Sequence, residues 1–421
     1  MLTPRTTLMR RVVAALDAAP SRIPVLLGGC GSGRSTLARQ LRDRIGRHAA
    51  HFIDVERTAT TPERFLRAIA GAPAPGAAAD EAATRPGGAR AAFDAALAFL
   101  VRPRAGGDEP MTFLLDEFLE LRTFESFPGL RRVLHDLVDG LAASGNRFVL
   151  TSRYVARSLR LLRDRSPRFE LIHMPPLTAE DTMDIIGPSG RGHGGPGNPG
   201  ASGGPGDRRS PGGPGDDDAH DAEYLARTVH ALADGRPIYV RALADELSAL
   251  RDQGISGKPG GAGSPGSDDP ISALAGLLAP DGRLARQCGF CYELRLHRAR
   301  GYGALKAILE ILGEEEGLTL TEISQRLQRT PGSTKDYLSW LEDVDLVTSR
   351  QKRYSFTDPL LRVWVRLHCR ASAPTDDDLA REIHLYALPR LPQPREPALA
   401  MAAAGGAAED DKKPWGIIEI D

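Results

Sequence analysis

The sequence lacks the features that mark membrane and secreted proteins. Its 421 residues contain no apolar run near the roughly 20 residues that cross a bilayer. The first residues also lack the charged and then apolar layout of a secretion signal. Only 4 cysteines occur, scattered along the chain, which are too few for a disulfide scaffold. We therefore expect a cytoplasmic protein with reduced thiols and no membrane contact.

Lysine is absent before Lys258, and net charge of either sign is almost absent from the whole chain. The 54 basic residues, nearly all Arg, balance 55 acidic ones to a formal charge of -1. No overall field therefore attracts nucleic acid or anionic membranes, and any such binding needs a local patch. The Arg usage, with abundant Ala, Gly and Pro, is typical of a bias toward GC-rich codons.

Length and composition together predict several domains. Two stretches are dominated by Gly and Pro and show no apolar period, so they bury too little surface to order themselves. The predicted segments are a core at 1–180, a disordered tract at 187–218, a helical lid at 219–252, a disordered linker at 254–269, a further domain at 270–370 and a largely disordered tail at 371–421.

Apolar runs and amphipathic stretches alternate through the first 175 residues. Five short apolar runs predict strands, at 23–27, 51–55, 112–115, 148–151 and 169–173. Stretches with helical spacing lie between them. This alternation predicts an α/β core with a parallel sheet that is covered on both faces.

A glycine-rich segment, GGCGSGRS at residues 28–35, joins the first predicted strand to an amphipathic helix. It fits the pattern G-x-x-x-x-G-K-[ST], except that Arg34 occupies the lysine position. Glycines let successive amides curl around phosphates, and the helix presents its positive end to the same charge. We call this segment the phosphate loop; the alternative is an ordinary Gly-rich turn. The predicted nucleotide contacts are Gly28, Gly31, Ser32, Gly33, Arg34, Ser35 and Thr36, with the Ser35 hydroxyl on Mg²⁺.

Arg34 leaves hydrolysis open. Lysine reaches the β- and γ-phosphates as a compact point charge, whereas arginine is longer, planar and suited to bidentate contacts. Either codon bias made the exchange inexpensive, or the site binds nucleotide with little turnover. Whether the chain is an ATPase enzyme depends on this residue.

Acidic and hydroxyl side chains end two of the predicted strands. Asp116 is predicted to join the Mg²⁺ shell, and Glu117 to polarise the attacking water. Thr151 or Ser152, at the end of the 148–151 strand, is a candidate sensor of the γ-phosphate. Each feature alone is also typical of an ordinary polar strand end, and their order after the phosphate loop favours a catalytic site.

These motifs resemble the AAA+ superfamily, and within it they are most similar to the archaeal-type ATPases of the STAND group. Further features carrying the resemblance are PLT at 176–178, DGRP at 234–237 and YSFTDPLLRVW at 354–364. The resemblance implies ATP or ADP with Mg²⁺ between the core and the lid, and a winged helix that responds to nucleotide state. Arg236 and Arg153 lie where such proteins place sensor arginines, although solvated or structural roles are the alternative.

Residues 302–356 predict three helices followed by a hairpin, the outline of an α+β winged-helix domain. Lys335 on the third helix and Arg350, Lys352 and Arg353 at the hairpin tip are candidate contacts for phosphates of double-stranded DNA. Acidic residues nearby oppose that binding. A protein partner, or packing on the nucleotide core, is the alternative.

Cys288 and Cys291, with His297 nearby, form a single C-x-x-C without the second pair that structural zinc needs. We predict two partly buried thiols and no metal site besides Mg²⁺. The sequence as a whole predicts an ATP-binding switch of undetermined oligomeric state. The alternatives are a DNA-binding regulator with a degenerate P-loop scaffold and a pure interaction module.

Overall fold

The computed structural model describes residues 6–71, 88–102, 111–187, 216–256, 269–297, 299, 301–370 and 372–392. Most of the predicted tract at 187–218 and linker at 254–269 lies outside these ranges, but residues 216–218 and 254–256 extend two helices. The described residues up to Leu391 belong to one compact unit. Within the described ranges, no helix combines the length and apolarity of a membrane span.

The core follows the predicted alternation of strands and helices. The strands are β1 (Ile23–Leu27), β2 (Ala50–Asp54), β3 (Thr112–Asp116), β4 (Arg147–Ser152) and β5 (Phe169–His173). The helices are α1 (Thr6–Asp17), α2 (Arg34–Ile45), α3 (Val55–Thr58), α4 (Pro62–Ala70), α5 (Ala89–Val101), α6 (Val133–Ala143) and α7 (Val155–Leu162), with a 3₁₀ helix at Phe118–Ser126. The predicted α/β core is therefore confirmed, with strand boundaries within one residue of those expected.

The five strands pair in parallel in the order β2-β3-β4-β1-β5. Leu27 at the end of β1 pairs with Ser152 at the end of β4, and β3 lies on the other side of β4. Every residue of β1 and β3 is buried, as expected for strands covered on both faces. Because the carboxyl ends of parallel strands share one edge, the phosphate loop meets the polar ends of β3 and β4 there.

A helical unit follows the sheet. It consists of α8 (Ala179–Ile186), α9 (Asp216–Leu232), α10 (Pro237–Ser256) and α11 (Pro270–Leu278). Leu274 and Leu277 of α11 belong to the same apolar cluster as Val229 and Leu243 of the two preceding helices. The sequence placed a boundary at 254–269, but α11 packs with the predicted lid helices rather than with the hairpin that follows.

Three helices and a small sheet follow α12 (Arg283–Leu296), a helix that the sequence did not predict. The elements are α13 (Tyr302–Glu314), β6 (Leu318–Thr319), α14 (Leu320–Arg326), α15 (Pro331–Asp343), β7 (Val347–Arg350) and β8 (Arg353–Phe356). The strands form an antiparallel sheet in the order β6-β8-β7. Gln351 and Lys352 join β7 to β8 with φ angles of 52° and 64°, the left-handed conformation of a two-residue type I′ hairpin turn. We call residues 302–356 the hairpin unit.

Two helices end the described chain, α16 (Pro359–His368) and α17 (Asp376–Ala387). The second lies within the tail predicted at 371–421, so this part of the tail is helical; residues 393–421 of that tail lie outside the described ranges. Thr375 and Asp378 form a reciprocal capping box at its start, which satisfies otherwise unpaired amides. Leu379 and Ile383 of α17 are buried in the apolar cluster of the helical unit. Because the segment begins with several acidic residues, the sequence did not predict this apolar face.

Candidate functional site

The phosphate loop is curled, and its glycines have conformations that other residues rarely adopt. Gly31 and Gly33 have φ angles of 77° and 87°, and a Cβ on Gly28 would lie 2.8 Å from Ser32 Oγ. The loop turns back on itself, since the Ser32 amide donates to the Gly29 carbonyl at 3.3 Å. Gly33 has no side chain to cap α2, so the first amides of this helix face the loop uncapped.

One buried polar group in this loop suits an anion. Ser32 Oγ is buried, and no described residue gives it a hydrogen-bond partner. A buried hydroxyl without a partner is costly, and a phosphate oxygen is an acceptor for it. The curled amides, the uncapped helix start and this hydroxyl therefore fit the phosphate groups of a nucleotide.

Arg34 turns back into the core. Its side chain is only 6% exposed; Nη1 donates to the Gly28 carbonyl, and Nη2 donates to Glu117 Oε1 at 2.8 Å. The guanidinium thus ties the first residue of the loop to the acid after β3. A lysine ammonium, which is a single point charge, lacks the planar fork that spans two acceptors in this way.

Asp116 lies beside two hydroxyls. Its Oδ1 accepts from Ser35 Oγ at 3.1 Å and from Thr151 Oγ1 at 2.5 Å. Burial raises the pKa of Asp116 above its usual range, and the two hydroxyl hydrogen bonds offset only part of that effect. Oxygen ligands of this kind suit Mg²⁺, and a cation would stabilise the buried carboxylate. The donor set therefore fits the predicted metal position.

Glu117 adopts a left-handed backbone conformation, φ 57°, which is uncommon for a side chain of this kind and is found at functional sites. Its amide donates to Thr151 Oγ1 at 3.0 Å. Its carboxylate accepts from the Arg153 amide at 2.9 Å and lies 3.2 Å from Arg153 Nε. Burial raises the pKa of Glu117, but the charges of Arg34 and Arg153 outweigh it and hold the pKa below its ordinary value.

The start of α10 lies directly against the phosphate loop. A Cβ on Gly31 would lie 2.2 Å from Ile238 Cγ2, and one on Gly29 would lie 3.3 Å from Arg236 Nη1. Arg236 also reaches away from the loop, with Nη2 donating to the Thr357 carbonyl at 2.8 Å. The loop is thus covered by the helical unit, and Arg236 links it to the segment before α16.

The comparisons with known proteins agree with this geometry at the level of fold. No protein-family model and no curated protein sequence matches the chain. A Walker-type ATPase of Pyrococcus abyssi matches it with a TM-score of 0.58 and 16% identity, over 86% of this chain and 96% of that one. The chain has a P-loop ATPase fold.

Two variants of RuvB from Thermotoga maritima also match, with TM-scores of 0.40 and 0.39 and identities of 12% and 13%. They cover 83% and 84% of this chain and 92% of each of theirs. TM-scores this low do not establish a shared fold. The assignment to the P-loop ATPase fold therefore depends on the Pyrococcus structure and on the sheet order.

The P-loop ATPase fold brings most of the predicted site residues together at one sheet edge. Ser35, Asp116 and Thr151 form a single hydrogen-bonded group, and Glu117 joins it through its amide. Ser152 is buried, and its hydroxyl accepts from the Tyr154 amide at 3.1 Å. The remaining predicted residues are Thr36, partly buried in α2, and Lys335, Arg350, Lys352 and Arg353, which are exposed on the hairpin unit.

Three side chains at the site have little or no signal in the sequence that predicts their contacts: Glu56, Arg153 and Asp358. Glu56 pairs with Arg153 Nη2, and Arg153 in turn pairs with Glu117. Asp358 lies 3.2 Å from Arg236 Nη1 and caps α16. Arg153 follows a predicted strand end, which is a weak local signal. Asp358 belongs to the YSFTDPLLRVW stretch that carried the resemblance, but no local pattern indicates its ion pair or that of Glu56, because their partners are distant in sequence.

Cys288, on α12, is buried, and its Sγ lies 3.9 Å from Tyr239 Oη. Cys291, on the same helix, is partly buried and is a free thiol. In the described part of the chain, no group of three or more His, Cys, Asp or Glu side chains is placed to hold a metal ion.

Proposed function

We propose that the chain is a cytoplasmic ATP-binding switch of the AAA+ superfamily, most similar to the STAND group. In this proposal the core at 1–180 holds ATP or ADP, the lid at 219–252 closes over it, and the domain at 270–370 is a winged helix. The nucleotide state sets the contacts among these parts. The proposal is consistent with the P-loop ATPase fold and with the anion-suited loop.

The observation that carries the proposal is the position of Arg236. Its guanidinium lies beside Gly29 of the phosphate loop and pairs with Asp358, a buried carboxylate at the start of α16. Nucleotide phosphates at the loop would compete with Asp358 for this cation. Binding would therefore alter a contact on which the C-terminal helices depend, which is the requirement for a switch.

The residues around the loop have separable roles. Ser35 and Asp116 would hold Mg²⁺, which neutralises phosphate charge and polarises the terminal phosphoryl group. Glu117 would orient water, but both of its oxygens are engaged by Arg34 and Arg153. This engagement supports a site that binds well and turns over slowly until Glu117 is released.

The packing of Ile238 on Gly31 would obstruct the binding of a nucleotide. The helical unit covers the loop, so a nucleotide must displace the first turn of α10 to reach the amides. A ligand that prefers the displaced arrangement shifts the population toward it. Lid movement and nucleotide binding are therefore coupled in this proposal.

Equilibrium binding of a fluorescent ATP analogue, with and without Mg²⁺, tests the proposal. Gly33→Asp should abolish binding, since Gly33 has a positive φ and the new carboxylate would repel phosphate. The matched control is Gly332→Asp, because Gly332 is exposed and open space surrounds it. Absence of saturable Mg²⁺-dependent binding in the folded wild type, or equal binding by both variants, would end the idea.

A second candidate function is binding of double-stranded DNA by the hairpin unit. Lys335, Arg350 and Lys352 are exposed on one small unit, and exposed cations of this kind contact phosphates. Salt-dependent retention on duplex DNA, lost in the double variant Arg350→Ala and Lys352→Ala, would support this function. Retention that is absent at low salt, or unchanged in the variant, would exclude it.

A further inference from the structure

A cavity of about 480 Å³ lies between the core and the helices α12 and α15. The 3₁₀ helix and α7 line it on the core side, and α12 and α15 line it on the other. Among the described residues of its lining, none belongs to the phosphate loop, and neither Asp116 nor Glu117 is present. Small-molecule sites usually have volumes of roughly 300–1,000 Å³. This space, which we call the α7–α15 cavity, is therefore large enough for a ligand that is separate from the nucleotide.

Arg157 of α7 lines the α7–α15 cavity and has few partners. Its side chain is 18% exposed, its ion pair with Asp343 spans 3.8 Å, and Asp343 also pairs with Arg160. The Arg157 guanidinium, a planar fork of five N–H donors, donates no hydrogen bond to any residue in the described ranges. Burial, with the charges of Arg122 and Arg160, lowers the pKa of Arg157 to about 10. This cation therefore has too little negative charge around it.

Arg295 of α12 lines the same cavity from the opposite side. It is only 4% exposed, and its Nη1 donates to the Asp345 carbonyl at 3.1 Å. Its Nε is also buried, but no described residue gives it a hydrogen-bond partner. Buried N–H groups without an acceptor are rare and costly. Two arginines, one on each side of the cavity, thus lack part of their hydrogen bonding, and an anion between them would supply acceptors.

The acids that line the cavity already have partners. Glu56 pairs with Arg153, and the Glu120 carboxylate accepts from the Tyr154 hydroxyl at 3.1 Å. When Arg and Glu side chains alone are counted, three arginines against two glutamates leave one positive charge in excess in the lining. A ligand with a single negative charge balances this excess, whereas a phosphate monoester carries roughly two. The charge balance therefore favours a carboxylate over a phosphate.

Part of the lining is apolar. Leu294 of α12 and Trp340 of α15 are partly buried, and Val344, directly after α15, is buried. An inorganic anion would leave these side chains in contact with water. A ligand with an apolar, planar body would remove that surface from water and could pack on the Trp340 ring. The cavity thus combines cations for an anionic group with an apolar surface for a ring.

We propose that the α7–α15 cavity binds a small aromatic carboxylate. The carboxylate pairs with the Arg157 guanidinium, whose fork can donate two parallel hydrogen bonds to the two oxygens. The ring lies against Trp340 and its apolar neighbours. This site does not rest on the proposed function, because no residue of the phosphate loop takes part in it.

Ligand-observed NMR titration of the full-length chain with benzoate and phenylacetate tests the site. We expect saturable binding, and binding of the neutral amides of the same shape, benzamide and phenylacetamide, that is about tenfold weaker or more, because hydrogen bonds to charged groups are the strong ones. Arg157→Ala should weaken carboxylate binding by a similar factor. Arg157→Lys keeps a charge opposite Asp343 but loses the fork, so its loss should be smaller. Arg163→Ala, at an exposed position directly after α7, is the matched control and should bind like the wild type.

A second variant tests the site without removing a charge. Ser126 is exposed and lines the cavity, so Ser126→Trp should fill the space and abolish carboxylate binding. No saturable binding, equal binding of acids and amides, or unchanged binding in Arg157→Ala and Ser126→Trp would overturn the proposal. Folded Gly33→Asp should bind the carboxylates like the wild type, and loss of binding there would place them at the phosphate loop instead. A wild type that binds carboxylates but no ATP would end only the proposed function.

Discussion

Arg34 links the phosphate loop to Glu117, the acid that follows β3. Its fork holds the Gly28 carbonyl and Glu117 at the same time, so the residue that departs from the usual motif also restrains the candidate catalytic acid. In the proposed switch, this pairing would slow hydrolysis, because it restrains Glu117.

Replacing Arg34 with lysine is expected to raise ATP turnover. The ammonium cannot hold Gly28 and Glu117 together, so Glu117 is released to orient water while a positive charge remains for the phosphates. An increase of about tenfold or more requires only about 1.4 kcal/mol of transition-state stabilisation. Phosphate release under saturating ATP and Mg²⁺ measures it.

Two further variants serve as controls for this prediction. Arg39→Lys, at an exposed position of the same helix, should leave the rate unchanged. Adding Glu117→Gln to Arg34→Lys should remove the gain, because the amide cannot act as a base. Equal rates in the wild type and Arg34→Lys would contradict the restraint that we infer.

At the level of elements, α7 receives its cap from another part of the chain. Tyr154 precedes α7 and provides no side-chain cap, whereas the Asp345 carboxylate accepts from the Val155 amide. Burial raises the pKa of Asp345 to about 6, although the α7 amides and the Arg295 charge act in the opposite direction. A titratable group thus lies between the core and the hairpin unit.

Asp345 should make folding stability depend on pH in a predictable sense. In the unfolded chain an Asp has a pKa near 4, about two units lower. Between these values the folded protein holds a proton that the unfolded chain has lost, so this stabilisation is present at low pH and disappears as pH rises through about 6. Relative to Asp345→Asn, which keeps an oxygen for the cap, the wild type should lose about 1 kcal/mol between pH 5 and pH 7.

Denaturant unfolding of both proteins at the two pH values measures this difference. A variant with the same pH dependence as the wild type would show that Asp345 does not titrate in this range. Asp376→Asn, at an exposed position of α17, serves as the control for a carboxylate that has no buried environment.

Most of the strands and many of the helices could be predicted from the sequence. Strands such as Ile23–Leu27 are short apolar runs, and their ends carry the polar residues of the site, so local pattern locates both. α11 and α17 were missed because their apolar faces are short and lie next to Gly/Pro-rich or acidic segments. Their packing into one cluster with α9 and α10 depends on tertiary contacts, which periodicity does not encode.

At the level of the whole molecule, the informative contacts join positions far apart in sequence. Arg236 and Thr357 are separated by 121 residues, Glu56 and Arg153 by 97, and Val155 and Asp345 by 190. No motif predicts such pairs from one sequence. They connect the sheet edge, the helical unit and the C-terminal helices, and they are the contacts through which nucleotide state would act.

The pair formed by Arg236 and Asp358 gives the last prediction. If phosphate competes with Asp358 for the guanidinium, removing the carboxylate charge should favour ATP. Asp358→Asn keeps an oxygen for the Leu360 and Leu361 amides that it caps, so α16 should remain folded. Its affinity for the fluorescent ATP analogue should rise about fivefold or more, a typical coupling between two sites, whereas Arg236→Ala should weaken binding.

Opposite signs for the two partners of one ion pair separate competition from simple structural support. If the pair only held the helical unit in place, both variants would loosen the cover over the loop and change affinity in the same direction. A weaker or unchanged affinity in Asp358→Asn would therefore contradict the switch, even if Arg236→Ala binds poorly. By reciprocity, ATP should also weaken the hold of Arg236 on Asp358 in the wild type, so the amides of the first turn of α16 should exchange hydrogen faster when ATP is bound.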